Sequence, residues 1–304
     1  MSIDHKKLKA KFEAGRLKAE QDIDAGKGAQ VSKVGRTSGN EKLRATRDLY
    51  EKKHGVKAII GSWNLPAKIT CGIGAKDCLS YCYALQGRFL FTSVMGVRFR
   101  NLLSIATLDD KQNPTCDKDK AVTAMRREFL AWVLSEAKGA DVAILRLHDS
   151  GDFFSQDYVD AMAEAIELAR QDLANMGVET ELIPYAYTKA HVLNLEPLKR
   201  AGVRIVQSSG GKHDATLNLG LPIARVFSKG EEMQAPWIDG QNEAYKDVLA
   251  IDGYMRIGLA YHGTIKEPET LSRRRDLIQI TTRKAGAAHW AAAEILTLAG
   301  VEVA

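Results

Sequence analysis

The distribution of apolar residues along the chain predicts strands and helices that alternate from residue 56 onward. Short apolar runs bounded by turn residues predict buried strands at 56–63, 143–147, 179–188, 203–209 and 222–227. Apolar residues at helical spacing lie between them, most clearly at 119–138 and after Ser155, a typical N-cap residue. Strand and helix in this order favour a parallel sheet with right-handed crossovers. The number of such units predicts a complete or partial (β/α) barrel.

Weaker signals predict the other elements of this region. A short strand is predicted at 67–70, and helix-like spacing covers 83–105. The segment 195–202 predicts a short helix that ends at Gly202, because glycine commonly terminates helices. A last helix is predicted at 283–300.

The first 55 residues have a different pattern. Residues 5–24 and 41–53 predict helices with few large apolar residues, and the Gly- and Ser-rich segment 25–40 predicts a flexible linker or loop. We therefore expect an N-terminal helical extension over 1–55 and a single α/β domain over 56–304.

Charge distinguishes the extension from the domain. Residues 1–60 carry 15 Lys and Arg against 8 Asp and Glu, whereas the whole chain has a net charge of only +5. A basic extension of this kind can contact a nucleic-acid backbone or another acidic partner, or it can be a solvated helix surface. Arg88, Arg98 and Arg100 add to the basic residues that permit a nucleic acid.

Composition also predicts where the protein resides. No run of about 18 apolar residues is present, so we expect no membrane-spanning helix. The N-terminus has lysines without an apolar segment behind them, which is unlike a secretory signal and predicts a cytoplasmic protein. In a reducing compartment, four cysteines of which three are clustered favour a metal site over disulfides.

The clustered cysteines are Cys71, Cys78 and Cys82, with the spacing C-x6-C-x3-C. Gly72 and Gly74 allow the chain between them to loop back. Three thiolates satisfy three irons of a [4Fe–4S] cluster and leave the fourth iron open for a ligand. A structural zinc site, in contrast, normally has four ligands, which here requires Cys116 or a histidine as the fourth.

Polar residues follow several predicted strands and predict a functional rim at one end of the sheet. The strand at 143–147 is followed by His148, Asp149, Ser150, Gly151 and Asp152. In (β/α) barrels the carboxyl ends of the strands build the active site. Either carboxylate could accept hydrogen bonds from an ammonium group, and Gly151 lets the backbone approach a ligand closely. The alternative is a capped loop whose polar groups only satisfy backbone amides. Later strands end at Tyr187, Thr188 and Lys189, and at Ser208 and Ser209.

This order of features resembles the radical S-adenosylmethionine (radical SAM) enzymes. In that superfamily a cysteine loop after the first barrel strand holds the cluster, and a Gly-Gly-Glu turn after the second strand binds the methionine amino group. The resemblance places Cys71, Cys78 and Cys82 in the first role and Ser150, Gly151 and Asp152 in the second. It covers roughly residues 56–230. The usual loop is C-x3-C-x2-C, so the cysteine spacing here departs from it, and the acidic residue is Asp rather than Glu.

A narrower resemblance is carried by the strings SWNLPAKITC, CYALQGRF, LRLHDSGDFFS and YAYTK. These are similar to the phage and plasmid family called gene product eighty-eight. That resemblance implies a mobile-element origin, and hence the host cytoplasm as location.

Taken together, these resemblances imply a partial (β/α) barrel of the radical SAM type. They imply a [4Fe–4S] cluster and S-adenosylmethionine as cofactors, and a flavodoxin- or ferredoxin-like protein as reductant. Asp152 would bind the methionine ammonium group, and Ser208 or Ser209 would reach its carboxylate or the ribose. The substrate expected for a phage-type enzyme is a nucleotide or a DNA base. His148, Asp149 and Tyr187 complete the predicted cofactor-binding set.

Two alternatives stay open from the sequence. One is a nucleic-acid-binding protein whose cysteines hold a structural zinc ion. The other is an iron–sulfur enzyme, such as a dehydratase, that does not use S-adenosylmethionine.

Overall fold

The computed structural model describes residues 5–37, 39–75, 77–80, 82–227, 232, 236–239 and 247–260. The helices of this part of the chain are α1 (His5–Asp24), α2 (Glu41–His54), α3 (Thr92–Leu103), α4 (Lys118–Glu136), α5 (Gln156–Asn175), α6 (Glu196–Arg200) and α7 (Val248–Ile251). None of them combines the length and the apolar character that a bilayer crossing requires.

Within the described residues, eight strands form one mostly parallel sheet, which is not closed in this part of the chain. The strands are β1 (Ser32–Lys33), β2 (Ala58–Trp63), β5 (Val142–Leu147), β6 (Glu181–Thr188), β7 (Arg204–Ser208), β8 (Ile223–Phe227), β9 (Ile238–Asp239) and β10 (Arg256–Ala260). Their order across the sheet is β1-β2-β5-β6-β7-β8-β10-β9. A separate antiparallel hairpin is made by β3 (Ala106–Leu108) and β4 (Pro114–Cys116).

The central strands lie in chain order. From β2 through β5, β6, β7, β8 and β10, each strand pairs in parallel with the next one along the sheet. No reversal of direction occurs within this series, so all of its carboxyl ends meet at one edge. Among the strands described in this sheet, β1 alone is antiparallel to its neighbour.

Apolar residues cover both faces of the sheet, as expected for parallel strands with elements packed on each side. One face packs against α4, α5 and α6, with Leu145 and Leu147 among its fully buried residues. The other face packs against α2 and α7, with Ile60 and Ile144 paired in register at its centre. We call the second one the inner face.

The N-terminal elements pack against the rest of the described chain. Helix α1 packs along α3, and the two backbones come close where Gly15 of α1 contacts Met95 of α3. Strand β1 pairs with the edge of β2, and α2 covers part of the inner face. The segment 25–40, predicted as a linker or loop, contains β1 and the buried Val31.

The mixed α/β class and the parallel sheet predicted from the sequence are confirmed. The N-cap at Ser155 is also confirmed, since its side chain accepts a hydrogen bond from the Tyr158 amide. Gly202 ends α6 with a φ of +71°. The strand predicted at 67–70 is wrong, because the backbone makes turns there and Lys68 has a positive φ. The helix predicted at 283–300 lies outside the described residues.

Candidate functional site at the carboxyl edge of the sheet

Loops that follow four neighbouring parallel strands meet at one edge of the sheet. The cysteine loop, residues 70–82, follows β2, and the polar turn 148–153 follows β5. Residues 189–191 follow β6, and residues 209–214 follow β7. The predicted rim therefore exists as a structural feature, and we call these four loops the rim.

The polar turn after β5 is tied to the segment that leads into the cysteine loop. The Ser150 carbonyl accepts a hydrogen bond from Leu65 N at 2.9 Å, and the Ser150 hydroxyl donates to Leu65 O at 2.8 Å. Gly151 has a φ of +89°, and a Cβ there would lie 2.7 Å from Thr70 Oγ1. Ser150 and Gly151 thus hold the start of the cysteine loop against the turn.

The far part of the cysteine loop reaches across to the loops after β6 and β7. Lys212 donates through its amide to Gly74 O at 2.9 Å and through Nζ to Gly72 O at 2.8 Å. Gly74 also lies against the backbone of Lys189 and Ala190. The loop that starts beyond β2 is therefore anchored on three other parts of the rim.

The three cysteines of this loop are free, half-buried thiols. Cys71 and Cys82 pack against an apolar cluster that includes Ala84 and Leu85. Burial raises the pKa of Cys71, and the charges of Asp152, Cys82 and Cys78 raise it further. Burial also raises the pKa of Cys82, to about 11, and Cys78 contributes to the rise.

Three cysteines on one loop are suitable ligands for a metal group. A bound metal cation would lower the pKa of the buried thiols and so offset the cost of ionising them. Within the described ranges, however, no three His, Cys, Asp or Glu side chains are arranged to hold a metal ion. Binding by Cys71, Cys78 and Cys82 requires these side chains to turn toward one point.

Asp152 joins the turn after β5 to the end of β6. Its carboxylate accepts hydrogen bonds from Thr188 Oγ1 at 2.6 Å, from Lys189 N at 2.8 Å and from its neighbour Phe153 N at 2.8 Å. Burial raises the pKa of Asp152 although each of these bonds opposes the rise. The carboxylate is consequently held in a fixed position, and its charge raises the pKa of Cys71.

Lys189 is a residue whose role the sequence did not indicate beyond its place after a strand. Its Nζ donates to Ser208 Oγ at 2.5 Å. Its charge acts to lower the pKa of Cys82 and that of Asp152. Ser209 is buried, and its amide donates to Ala224 O at 2.9 Å. The signal available in the sequence is a cation directly after a polar strand end.

The structure does not bring His148 together with the other predicted site residues. His148 has a φ of +64°, and its Nε2 forms a hydrogen bond of 2.8 Å with Tyr158 Oη. Tyr158 lies on α5 and also accepts a hydrogen bond from Trp63 Nε1 at 3.0 Å. Burial lowers the pKa of His148 to about 3, so the imidazole is neutral. It is packed between the sheet and α5.

Asp149 lies elsewhere in the same turn. Its carboxylate accepts a hydrogen bond from Asn40 Nδ2 at 2.9 Å and is 3.4 Å from Arg146 Nη2. Its backbone carbonyl accepts a hydrogen bond from Tyr83 Oη at 2.6 Å. Asp149 thereby links the rim to α2 and to the segment after Cys82.

Arg146 belongs to a buried charged group on the inner face. Arg146 is 5% exposed and forms an ion pair with Asp247. Tyr185 donates a hydrogen bond to Asp247 at 3.0 Å, and the Tyr187 ring centroid lies 5.6 Å from the Arg146 guanidinium carbon. Tyr187 is thus part of this inner-face group.

Other candidate residues lie away from the rim. Cys116 lies in the β3–β4 hairpin, where burial and then Asp157 and Asp117 raise its pKa to about 12. Arg98 and Arg100 are buried, and Arg100 forms an ion pair of 2.9 Å with Asp22. These two arginines are therefore not available to bind phosphate as they stand.

Comparisons with known proteins give one match. A family model described as gene product 88 matches residues 32–286, which includes β1, α2, the parallel strands and the whole rim. No curated protein and no solved structure matches the chain.

Proposed function

This chain belongs to the gene product 88 family, and we propose that it is an iron–sulfur enzyme of the radical SAM type. Cys71, Cys78 and Cys82 would hold a [4Fe–4S] cluster, and S-adenosylmethionine would bind at the rim. The observation that carries the proposal is the anchoring of the cysteine loop across the carboxyl ends of β5, β6 and β7. A loop held in this way lies at the edge where a parallel sheet builds its active sites.

The order of the strands supports the finer fold assignment within this proposal. A series of parallel strands that advances across the sheet in chain order is the arrangement found in (β/α) barrels. A doubly wound sheet instead reverses its strand order at a switch point. We therefore propose that the open sheet is a partial barrel, with the cysteine loop after its first parallel strand.

Three thiolates leave one iron of a [4Fe–4S] cluster without a protein ligand. Held by Cys71, Cys78 and Cys82, a reduced cluster would supply the electron for reductive cleavage of S-adenosylmethionine. The protein's own contribution is to bind and orient the cofactor and to exclude competing reactions.

Asp152 is suited to bind the methionine ammonium group. A carboxylate has about four acceptor positions, and the protein uses three of them at Asp152. The fourth position, on Oδ2, takes no hydrogen bond from the described residues, and we propose that the ammonium group binds there. The three protein hydrogen bonds fix the carboxylate in place before the cofactor arrives.

Lys189 and Ser208 are suited to bind the carboxylate of the same methionine. The Lys189 ammonium group donates to the Ser208 hydroxyl, and both retain hydrogens that can be donated to an anion. The pair lies on the same rim as Cys82, whose pKa responds to the charge of Lys189. Asp152 and Lys189 therefore offer opposite charges on the same rim, one for each charged group of the methionine.

The test is anaerobic purification of the full chain followed by iron and sulfide analysis. We expect about four irons per chain for a single [4Fe–4S] cluster, and loss of that iron in the Cys71→Ala, Cys78→Ala and Cys82→Ala variants. Cys116→Ala is the matched control, which should retain the iron. Incubation of the brown protein with S-adenosylmethionine and dithionite should then release 5′-deoxyadenosine.

The outcomes separate this proposal from the alternatives. Colourless protein that contains zinc bound through the same cysteines would replace it with the zinc-stabilised nucleic-acid-binding protein. Brown protein that releases no 5′-deoxyadenosine would leave an iron–sulfur enzyme that does not use S-adenosylmethionine.

A further inference from the structure

Aromatic side chains are exposed directly beside the cysteine loop. Tyr83, which follows Cys82, is 49% exposed, and Phe91 is 56% exposed. Phe89 lies between them in the sequence, and its ring contacts the Tyr83 ring. We call Tyr83, Phe89 and Phe91 the aromatic platform. Other large apolar residues that are exposed in the described part of the chain, such as Met176 and Leu134, lie on separate helices.

Tyr83 is held rigidly although half of it is exposed. Its hydroxyl donates to the Asp149 carbonyl at 2.6 Å, and its ring meets Phe89 edge to face with centroids 5.4 Å apart. Both contacts restrict the ring without covering it. A fixed, exposed aromatic ring loses little conformational entropy when a flat ligand stacks on it.

Exposed basic residues lie on the elements next to the platform. Leu8 and Phe12 of α1 belong to the same apolar cluster as Phe89 and Leu90. The first turns of α1 are therefore adjacent to the platform, and residues 5–12 contain four lysines and no acidic residue. Lys6 and Lys9 are exposed, as is Arg88 in the platform segment itself.

We propose that the aromatic platform and its basic border bind single-stranded nucleic acid. Bases would stack on Tyr83 and Phe91, and Lys6, Lys9 and Arg88 would contact the phosphates. Proteins that bind single-stranded nucleic acid combine exposed aromatic rings with neighbouring basic residues, because every base has a face that can stack on a ring. An acidic protein partner would use the charges but has no need of two exposed rings.

This inference deepens the proposed function and rests on it for its meaning. A base stacked on Tyr83 lies beside Cys82, because the two residues are adjacent and the Tyr83 hydroxyl reaches the turn after β5. The substrate class is then an unpaired base in a strand, and not a free duplex.

The test measures binding of the full chain to a fluorescently labelled oligothymidylate by anisotropy, with a duplex of the same length for comparison. Tyr83→Phe keeps the ring but removes the hydroxyl that fixes it, so binding should fall less than in Tyr83→Leu. Tyr83→Leu and Phe91→Ser should each weaken binding about tenfold, since each removes a stacking platform. Lys6→Glu combined with Lys9→Glu should weaken binding at low salt and reduce its salt dependence. Met176→Ser, which removes an exposed apolar residue on α5, is the matched control.

The inference is overturned if the duplex binds as tightly as the single strand, or if Tyr83→Leu and Phe91→Ser both bind like the wild type. Loss of binding in the lysine variant alone would indicate a surface for an acidic partner instead. The variant that lacks Cys71, Cys78 and Cys82 separates this inference from the proposed function. This variant should lose iron but still bind the single-stranded oligonucleotide. Wild-type protein that contains iron but does not bind the oligonucleotide would overturn the nucleic-acid proposal and leave the iron–sulfur proposal standing.

Discussion

Gly74 lies so close to Lys189 that a Cβ on the glycine would be 2.3 Å from the Lys189 carbonyl carbon. The contact joins the cysteine loop to the loop after β6 by backbone packing alone. Neither backbone can yield as a flexible side chain could. The position of the cysteines thus depends on a residue that has no functional group.

Replacing Gly74 with alanine should displace the cysteine loop. We expect a loss of about 1–3 kcal/mol in the free energy of unfolding, typical of overpacking, together with a lower iron content. Gly72→Ala is the control, because a Cβ at Gly72 meets nothing within 4 Å. Urea unfolding and iron analysis of both variants check this. Equal behaviour of the two variants would contradict the assigned contact.

Gly151→Ala should lower the free energy of unfolding more than Gly177→Ala, which introduces backbone strain without steric overlap. Gly151 and Gly177 both have a positive φ, but only Gly151 has neighbours in the way, with Thr70 Oγ1 at 2.7 Å. We expect Gly177→Ala to cost about 1–2 kcal/mol from strain. Gly151→Ala should cost about 2–5 kcal/mol, since overpacking adds to the strain. Thermal or urea unfolding of the two variants gives the comparison, and similar losses would disprove the close approach.

His148 should make the protein less stable in weak acid. Burial lowers the pKa of His148 to about 3 in the folded protein, whereas an unfolded histidine has a pKa of about 6.5. The unfolded state therefore takes up a proton first, and the contribution is complete above about pH 6.5 and is lost as the pH falls toward 3. Between pH 7 and pH 5 we expect a loss of about 2 kcal/mol from this residue.

The measurement is urea unfolding at pH 7 and pH 5 for the wild type and for His148→Gln. The variant should show a smaller pH dependence. Burial also lowers the pKa of His191, to about 4, but His191 is present in both proteins and its effect cancels. Identical pH dependence in the two proteins would show that His148 is exposed to protons in the folded state.

Arg146 and Asp247 should behave as a coupled buried pair. Burial raises the pKa of Asp247, but the charges of Arg146 and Lys42 outweigh it and lower the pKa to about 2. Arg146→Met should destabilise the protein by about 3–5 kcal/mol, because it leaves a buried carboxylate with a weaker partner. Arg146→Met combined with Asp247→Asn should cost less than the sum of the single changes, by at least about 1 kcal/mol. A double-mutant cycle of unfolding free energies tests this, and strict additivity would contradict it.

The sequence predicted well those features that depend on local periodicity. Strands β2, β5, β6, β7 and β8 and helices α1, α2, α4, α5 and α6 lie where apolar spacing and capping residues placed them. The grouping of strand ends into one rim followed from the parallel arrangement. These signals are local, and the sheet geometry converts them into proximity.

Side-chain direction could not be predicted in the same way. Every residue of β5 is buried, so its apolar pattern does not reveal which face Arg146 occupies. The orientation of His148 depends on its positive φ, which L-residues rarely adopt. No motif in the sequence predicts this conformation. The anchoring of Gly74 on Lys189 and Lys212 depends on contacts between distant segments. Such contacts follow only from the assembled fold.

The hydrogen bonds from Lys212 to the cysteine loop can form only late in translation of the chain. Strands that pair in chain order can join the sheet one after another as they leave the ribosome, yet Lys212 Nζ and Gly72 are separated by 140 positions. At translation rates of about 5–20 residues per second, the cysteines precede Lys212 by roughly seven seconds to half a minute. The nascent chain therefore carries the three thiols before these contacts can form, and the cysteine loop is completed only after β7 and the loop that follows it have been made.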